Sequence, residues 1–220
     1  MIGLEDAADA HAANPAAALV LLLHGGRAKS YEPVRRGNLA ALRMSALSRA
    51  LGSDPRLPVV GLRYRLRGWN DEHGTRVPDP VLDTLSALET IEKRLGPVPV
   101  ILVGHSLGGR TAVHVSAHPT VRAVAALAPW LPPAEPVEPL RDRTVLIAHG
   151  RRDRVTEIEH SIAFAQRAVP VATAVYLKLL DDGHAMLRAA ADWHTLVRDF
   201  TRTVAFGPEA THLDAEQLTG

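Results

Sequence analysis

The residue pattern in this chain best able to do chemistry is a serine with glycine two positions before it and two after. It stands in Gly104-His105-Ser106-Leu107-Gly108-Gly109, directly after an apolar run ending at Val103 and at the start of a helical pattern. A Gly-x-Ser-x-Gly spacing between strand and helix makes a tight turn that projects the serine hydroxyl from the end of a sheet. The glycines leave room for that turn, since side chains there would meet neighbouring backbone. The bare spacing also occurs in glycine-rich turns with an incidental serine. Its place between strand and helix gives it weight, and it makes demands on the rest of the chain.

A serine hydroxyl is a weak nucleophile. It needs a histidine to take its proton and an acid to orient that histidine. On a parallel sheet these follow at the carboxyl ends of later strands, in the order serine, acid, histidine. Asp153, in His149-Gly150-Arg151-Arg152-Asp153-Arg154-Val155, lies just past the run ending at Ala148. His184, in Asp181-Asp182-Gly183-His184, lies just past the last apolar run. His114, His118, His160 and His194 fall on or beside helices and read as surface or packing residues. His105 reads as pointing away from the site, and His149 only precedes the acid loop. Asp181 and Asp182 rival Asp153, but their closeness to His184 suits them to shaping its turn. An oxyanion needs two donors. The backbone N–H of Leu107, at a helix amino end, supplies one. Leu23-His24-Gly25-Gly26-Arg27, after the first strand, offers the second at the N–H of Gly26.

These residues need a scaffold of alternating strands and helices, and the apolar periodicity supplies one. Runs at 18–23, 58–66, 98–103, 121–127, 145–148 and 173–179 read as six strands. Helical patterns lie at 38–51, 79–95, 107–117, 156–169 and 185–204, with Gly52 and Gly96 as stops and Asp79-Pro80 and Thr156 to Glu159 as starts. Alternation of this kind builds right-handed βαβ units and an α/β fold. Arg63, Arg65 and Arg67 alternate with Leu62, Tyr64 and Leu66, which places that strand at a sheet edge. Five prolines between Pro129 and Pro139 describe a stiff strap. The chain divides into an amino-terminal segment, 1–17, a domain, 18–206, and a polar tail, 207–220, expected to fray.

With 220 residues, 46% hydrophobic and 22% charged, the chain has the composition of one globular domain rather than of a disordered or membrane-spanning protein. The net charge of +1 gives no overall field to recruit nucleic acid or an acidic membrane. There is no cysteine, so disulfides, thiolate metal sites and a cysteine nucleophile are excluded. The apolar run 16–23 is preceded by Glu5, Asp6 and Asp9 rather than by the basic flank of a signal peptide, and it is too short to cross a bilayer. The expectation is a soluble, cytoplasmic protein.

The sequence resembles the α/β-hydrolase superfamily, with His-Gly-Gly, Gly-His-Ser-Leu-Gly-Gly, Gly-Arg-Arg-Asp-Arg-Val and Asp-Gly-His in family order over about residues 18–206. The resemblance implies a mostly parallel sheet of about six strands, the third to eighth of the family sheet, flanked by helices. It assigns Ser106 as nucleophile, Asp153 as acid, His184 as base, and Gly26 and Leu107 as oxyanion donors. Only the proline strap separates Ala128 from Thr144, which leaves no room for a cap domain. Small capless members similar to dienelactone hydrolases and carboxylesterases fit best, although dienelactone hydrolase itself uses a cysteine. The implied activity is hydrolysis of small-molecule esters or lactones. Thioesterase or acyltransferase chemistry on the same three residues is the alternative, and a non-catalytic binding protein of this fold is the other. No cofactor or metal is implied, and the oligomeric state is left open. Arg27, Tyr31, Trp69, Trp130 and Met186 lie on loops at the carboxyl end of the sheet and are the expected pocket walls. Arg27, Arg67, Arg110, Arg152 and Arg154 are expected on the same rim, where they would suit an anionic substrate.

Overall fold

The computed structural model describes residues 11, 15–52, 54–72 and 74–219. Most of the segment 1–17 therefore lies outside the described residues. The strands are β1 (Leu19–Leu23), β2 (Val59–Leu62), β3 (Val100–His105), β4 (Val121–Leu127), β5 (Thr144–Gly150), β6 (Ala174–Leu180) and β7 (Glu216–Leu218). The helices are α1 (Leu39–Leu51), α2 (Asp79–Leu95), α3 (Leu107–Val115), α4 (Ile158–Ala168) and α5 (Ala190–Phe206). One sheet runs in the order β2-β1-β3-β4-β5-β6-β7, parallel except for β7.

The nearly continuous apolar sequences of β1, β3, β4 and β5 follow from burial on both faces. Leu19, Leu21, Val100 and Leu102 share one core with Leu88 and Ile91 of α2, Val113 of α3 and Phe164 of α4. Val20, Leu22, Ile101 and Val103 face the other, with Met44 and Leu47 of α1 and Trp193, Val197 and Phe200 of α5. Asn38 caps α1 by accepting from the N–H groups of Ala40 and Ala41. Gly96, at φ 75°, ends α2. The register sets Leu23 opposite Gly104, His105 opposite Leu127, and Gly150 opposite Leu180, so the loops that leave β1, β3, β5 and β6 emerge together. Residues 128–143 cross from β4 to β5 as a strap with a single 3-10 turn at Glu138–Leu140, and there is no cap.

Two expectations about the edges are revised. β2 is the edge strand, but it ends at Leu62, before the alternating arginines. The Arg65 N–H and guanidinium both bond to the Asp83 carboxylate, at 2.8 and 2.5 Å, which turns the chain out of the ladder. Leu66 and Gly68 then bridge to Pro33 and Arg27. At the other edge, the polar tail contributes β7 rather than fraying. Glu216, Gln217 and Leu218 pair with Leu177, Tyr176 and Val175, Leu213 and Ala215 pack beneath, and Asp214 meets Lys178 at 2.7 Å. A few apolar residues and one ion pair are enough to cover the edge of β6.

Candidate active site

Ser106 occupies the turn between β3 and α3 at φ 56° and ψ −118°. A non-glycine residue in that region costs about 1–3 kcal/mol, which the surroundings must offset. Its N–H bonds to Leu127 O at 2.9 Å, and its carbonyl accepts from the N–H groups of Gly109, Arg110 and Trp130. A Cβ on Gly104 would lie 2.1 Å from Gly108 O, and one on Gly108 would lie 2.2 Å from Leu23 O. These contacts are why the spacing demands glycine on both sides of the serine.

Ser106 Oγ lies 3.0 Å from His184 Nε2, and His184 Nδ1 lies 2.8 Å from Asp153 Oδ2. A carboxylate only accepts, so Nδ1 carries the imidazole proton and Nε2 is free to accept from the serine hydroxyl. Burial alone would raise the Asp153 carboxyl. Bonds from the Thr156 and Val155 N–H groups, from His184 and from the Thr156 hydroxyl outweigh it and hold the group below the usual range. The structure thus brings Ser106, Asp153 and His184 into one hydrogen-bonded chain.

The sequence reading passed over three neighbours of that chain, Thr156, His149 and His105. The Thr156 hydroxyl donates to Asp153 Oδ2 at 2.8 Å and lies 3.2 Å from His184 Nδ1. What looked like a helix-start residue serves the acid, and α4 begins two residues later. His149 Nε2 lies 3.3 Å from Asp153 Oδ2 while its Nδ1 accepts from Ser161 at 2.8 Å. His105 does not point away from the site, because its ring Nε2 donates to the backbone carbonyl of His184 at 2.8 Å and packs at 4.8 Å against the His184 ring. Burial, helped by the neighbouring His184, pushes His105 down to about 3, so it is a neutral strut under the histidine loop. Asp182 shapes that loop by accepting from the N–H groups of Gly183, Arg188 and Ala189 and from Trp193 Nε1. The rank of Asp182 as turn-shaper was readable from its spacing. The strut at His105 depends on a contact 79 residues along the chain and leaves no local signal, whereas the bond from Thr156 to Asp153 spans three residues.

Gly26, the expected second oxyanion donor, packs against the Leu107 side chain. A Cβ on Gly26 would lie 3.0 Å from Leu107 Cδ1 and 2.4 Å from Arg67 O, so only glycine fits there. The buried His24 grips the Gly25 carbonyl through Nδ1–H at 2.7 Å, and its Nε2 accepts from Tyr64 N–H at 3.2 Å. A trans peptide directs its C=O and N–H oppositely, so this grip turns the Gly26 N–H away from the His24 ring. Neither the Gly26 nor the Leu107 N–H has an acceptor among the described residues.

The expected pocket walls divide. Trp69 is only 1% exposed and is a plug, with Arg110 stacked 4.2 Å from its ring and 4.6 Å from Trp130. Arg110 also donates to the buried Glu135 at 2.7 Å, and His114 Nε2 bonds the other Glu135 oxygen, which ties the proline strap to α3. Met186, 6% exposed, is packed into the core beneath α5 rather than lining a pocket. Trp130 is half-buried. Tyr31 is exposed and bonds to Glu72 at 3.3 Å, while Arg27 is exposed and lines a cavity. The expected arginine rim is also broken up: Arg67 pairs with Glu32, Arg110 with Glu135 and Arg152 with Asp181. Among the described residues no group of three or more His, Asp or Glu side chains could hold a metal ion. No described helix is long and apolar enough to cross a membrane.

A parallel sheet with a serine on the turn after its third strand defines a class, and comparison with known proteins names it. The profile of the alpha/beta hydrolase family matches residues 20–217, and the chain belongs to that family. Among solved structures, it is similar to an esterase of Pyrococcus furiosus at 15% identity and a TM-score of 0.67, covering 87% of this chain and 84% of that one. A putative α/β-superfamily hydrolase of Xanthomonas campestris shares 20% identity at a TM-score of 0.58, over 86% and 99% of the two chains. A putative α/β hydrolase of Agrobacterium tumefaciens shares 15% at 0.67, over 89% of each. No curated protein sequence matches the chain.

Proposed function

We propose that this protein is a serine hydrolase that cleaves carboxylic esters of small molecules through an acyl-enzyme. The observation that carries the reading is the unbroken chain from Ser106 Oγ through His184 to Asp153, at 3.0 and 2.8 Å, on a serine held at positive φ. The esterase named among the similar folds agrees with it.

The geometry supports the following course. His184 Nε2 takes the Ser106 proton as Oγ attacks the ester carbonyl, and Asp153 stabilises the imidazolium and fixes its tautomer. The Gly26 and Leu107 N–H groups receive the charge that develops on the carbonyl oxygen, and removal of one such donor typically costs on the order of a hundredfold in rate or more. As the tetrahedral intermediate collapses, His184 returns the proton to the leaving alcohol. Water, deprotonated by the same histidine, then attacks the acyl-enzyme and releases the acid and the free serine. His24 and His105 act through others, the first by setting the Gly26 peptide and the second by supporting the His184 loop.

The test is a panel of short-chain esters, lactones and acyl thioesters assayed with the wild type and with Ser106→Ala. Ester hydrolysis abolished by the substitution supports the reading. Turnover of thioesters alone would move it to thioesterase chemistry, and a folded protein inert on the whole panel would overturn it in favour of ligand binding.

A further inference from the structure

A cavity of about 670 Å³, of a size suited to a small-molecule group, lies between the β1–α1 segment and Arg67. One wall is the backbone of Gly25 and Gly26. That backbone packs closely on the serine turn: a Cβ on Gly25 would lie 3.4 Å from Ser106 Cβ, and one on Gly26 3.0 Å from Leu107 Cδ1. The same two glycines therefore border both the serine turn and the cavity.

The lining is strongly charged. Arg27, Arg35, Arg36 and Arg67 contribute to it against one carboxylate, Glu32. Glu32 is already engaged with Arg67 at 2.5 Å. Arg27, Arg35 and Arg36 have no carboxylate within ion-pair distance among the described residues. A neighbouring cavity of about 410 Å³ shares Arg35 and Arg36 and adds Arg63, with no acid in its wall. The arginines on the opposite side, Arg110 and Arg152, are each neutralised by a partner. Arg27, Arg35 and Arg36 thus leave three exposed guanidinium groups on one cavity available to an anion. Their planar forks suit the paired oxygens of a carboxylate or phosphate.

We propose that this cavity is a subsite for an anionic group of the substrate, so that the enzyme acts on esters or thioesters bearing a carboxylate or phosphate near the scissile carbonyl. The inference rests on the serine-hydrolase reading for its catalytic consequence, but the binding of the anion stands apart from it. Tyr31, Trp130 and the arginines near Asp153 have no part in it.

The experiment compares wild type with Arg35→Gln/Arg36→Gln. The substrates are p-nitrophenyl butyrate, which is neutral, mono-p-nitrophenyl succinate, with a carboxylate on the acyl side, and S-acetyl-2-mercaptoethyl phosphate, with a phosphate close to the thioester on the leaving group. The expected result is that at least one anionic substrate exceeds the neutral reference in kcat/KM by about tenfold, through KM, and that the double variant erases the advantage while leaving butyrate turnover unchanged. The favoured anionic substrate identifies the group that fills the cavity. Equal turnover of neutral and anionic substrates by the wild type, or a variant that lowers all of them alike, would overturn the proposal. Calorimetric titration with succinate and with inorganic phosphate separates this from failure of the hydrolase reading. Binding to the wild type that is lost in the double variant supports the subsite even in a protein that hydrolyses nothing. Absence of binding to the wild type contradicts it.

Discussion

The surroundings of His184 and the segment 27–36 are built by opposite means. On the His184 side nearly every polar atom is buried and partnered. Asp153 accepts from two backbone N–H groups, a hydroxyl and an imidazole, Asp182 from three N–H groups and an indole, and His105 holds the loop from below. On the side of residues 27–36 the chain is exposed, the guanidinium groups outnumber the carboxylates, and the cavity is open to solvent. The contrast separates two tasks. A reacting chain of groups needs fixed distances, which burial and redundant hydrogen bonding provide. A subsite for a charged group needs unspent charge, which is kept only where the protein supplies no partner.

Breaking the ordered side should have the largest effect. Asp153→Asn keeps the shape but gives His184 Nδ1 the wrong partner, and kcat for a neutral ester should fall by about 10⁴ in steady-state assays. Arg27→Gln, on the open side, should change the same neutral-ester rate by less than about twofold. Similar losses from the two substitutions would erase the distinction.

The strut under His184 gives an intermediate effect. His105→Leu removes the donor to the His184 carbonyl and should lower kcat by about 10- to 100-fold with little change in KM, since small misplacements of a catalytic group carry costs of that order. His105→Gln retains an N–H donor and should recover most of the loss. If both variants lose stability to denaturant and neither loses kcat per folded molecule, His105 is structural only.

The last readout is the response of stability to acid. Burial lowers His24, His105 and His149 below the ordinary histidine value, so the folded protein binds fewer protons than the unfolded chain once the pH drops below about 6.5. Stability therefore falls with acid, and for His105 the loss continues down to about pH 3. Asp153, held below its unfolded value, adds a loss of the same sign at still lower pH. Urea unfolding between pH 7 and 4 should show this slope, and His105→Gln should flatten it by about one proton. A flat profile in the wild type would mean that these rings are not held neutral.

The same contrast decides how much the sequence could reveal. Ser106, Asp153 and His184 announce themselves because each sits just past an apolar strand with its own local pattern, and the glycines at 104 and 108 are dictated by backbone contacts. Helix and strand positions were legible for the same reason, since burial on both faces writes continuous apolar runs. What the sequence hid depends on meetings between distant segments. Trp69 read as a pocket wall because nothing local shows that Arg110 and Trp130 close over it. The arginines past Leu62 read as strand because their bond to Asp83 joins separate elements. The tail read as loose because Leu213, Ala215 and Leu218 are too few to mark a strand until β6 offers an edge. Of the arginines expected on one rim, Arg67, Arg110 and Arg152 turn out to be ion-paired, because pairing with distant carboxylates rather than position decides which arginines remain available.

The most direct test of the central claim is intact-mass analysis after treatment with a fluorophosphonate, which adds covalently to an activated serine. The account predicts one adduct on the wild type, none on Ser106→Ala, and strongly slowed labelling of His184→Ala. A folded wild type that takes up no label, or that carries its label on a residue other than Ser106, would contradict it.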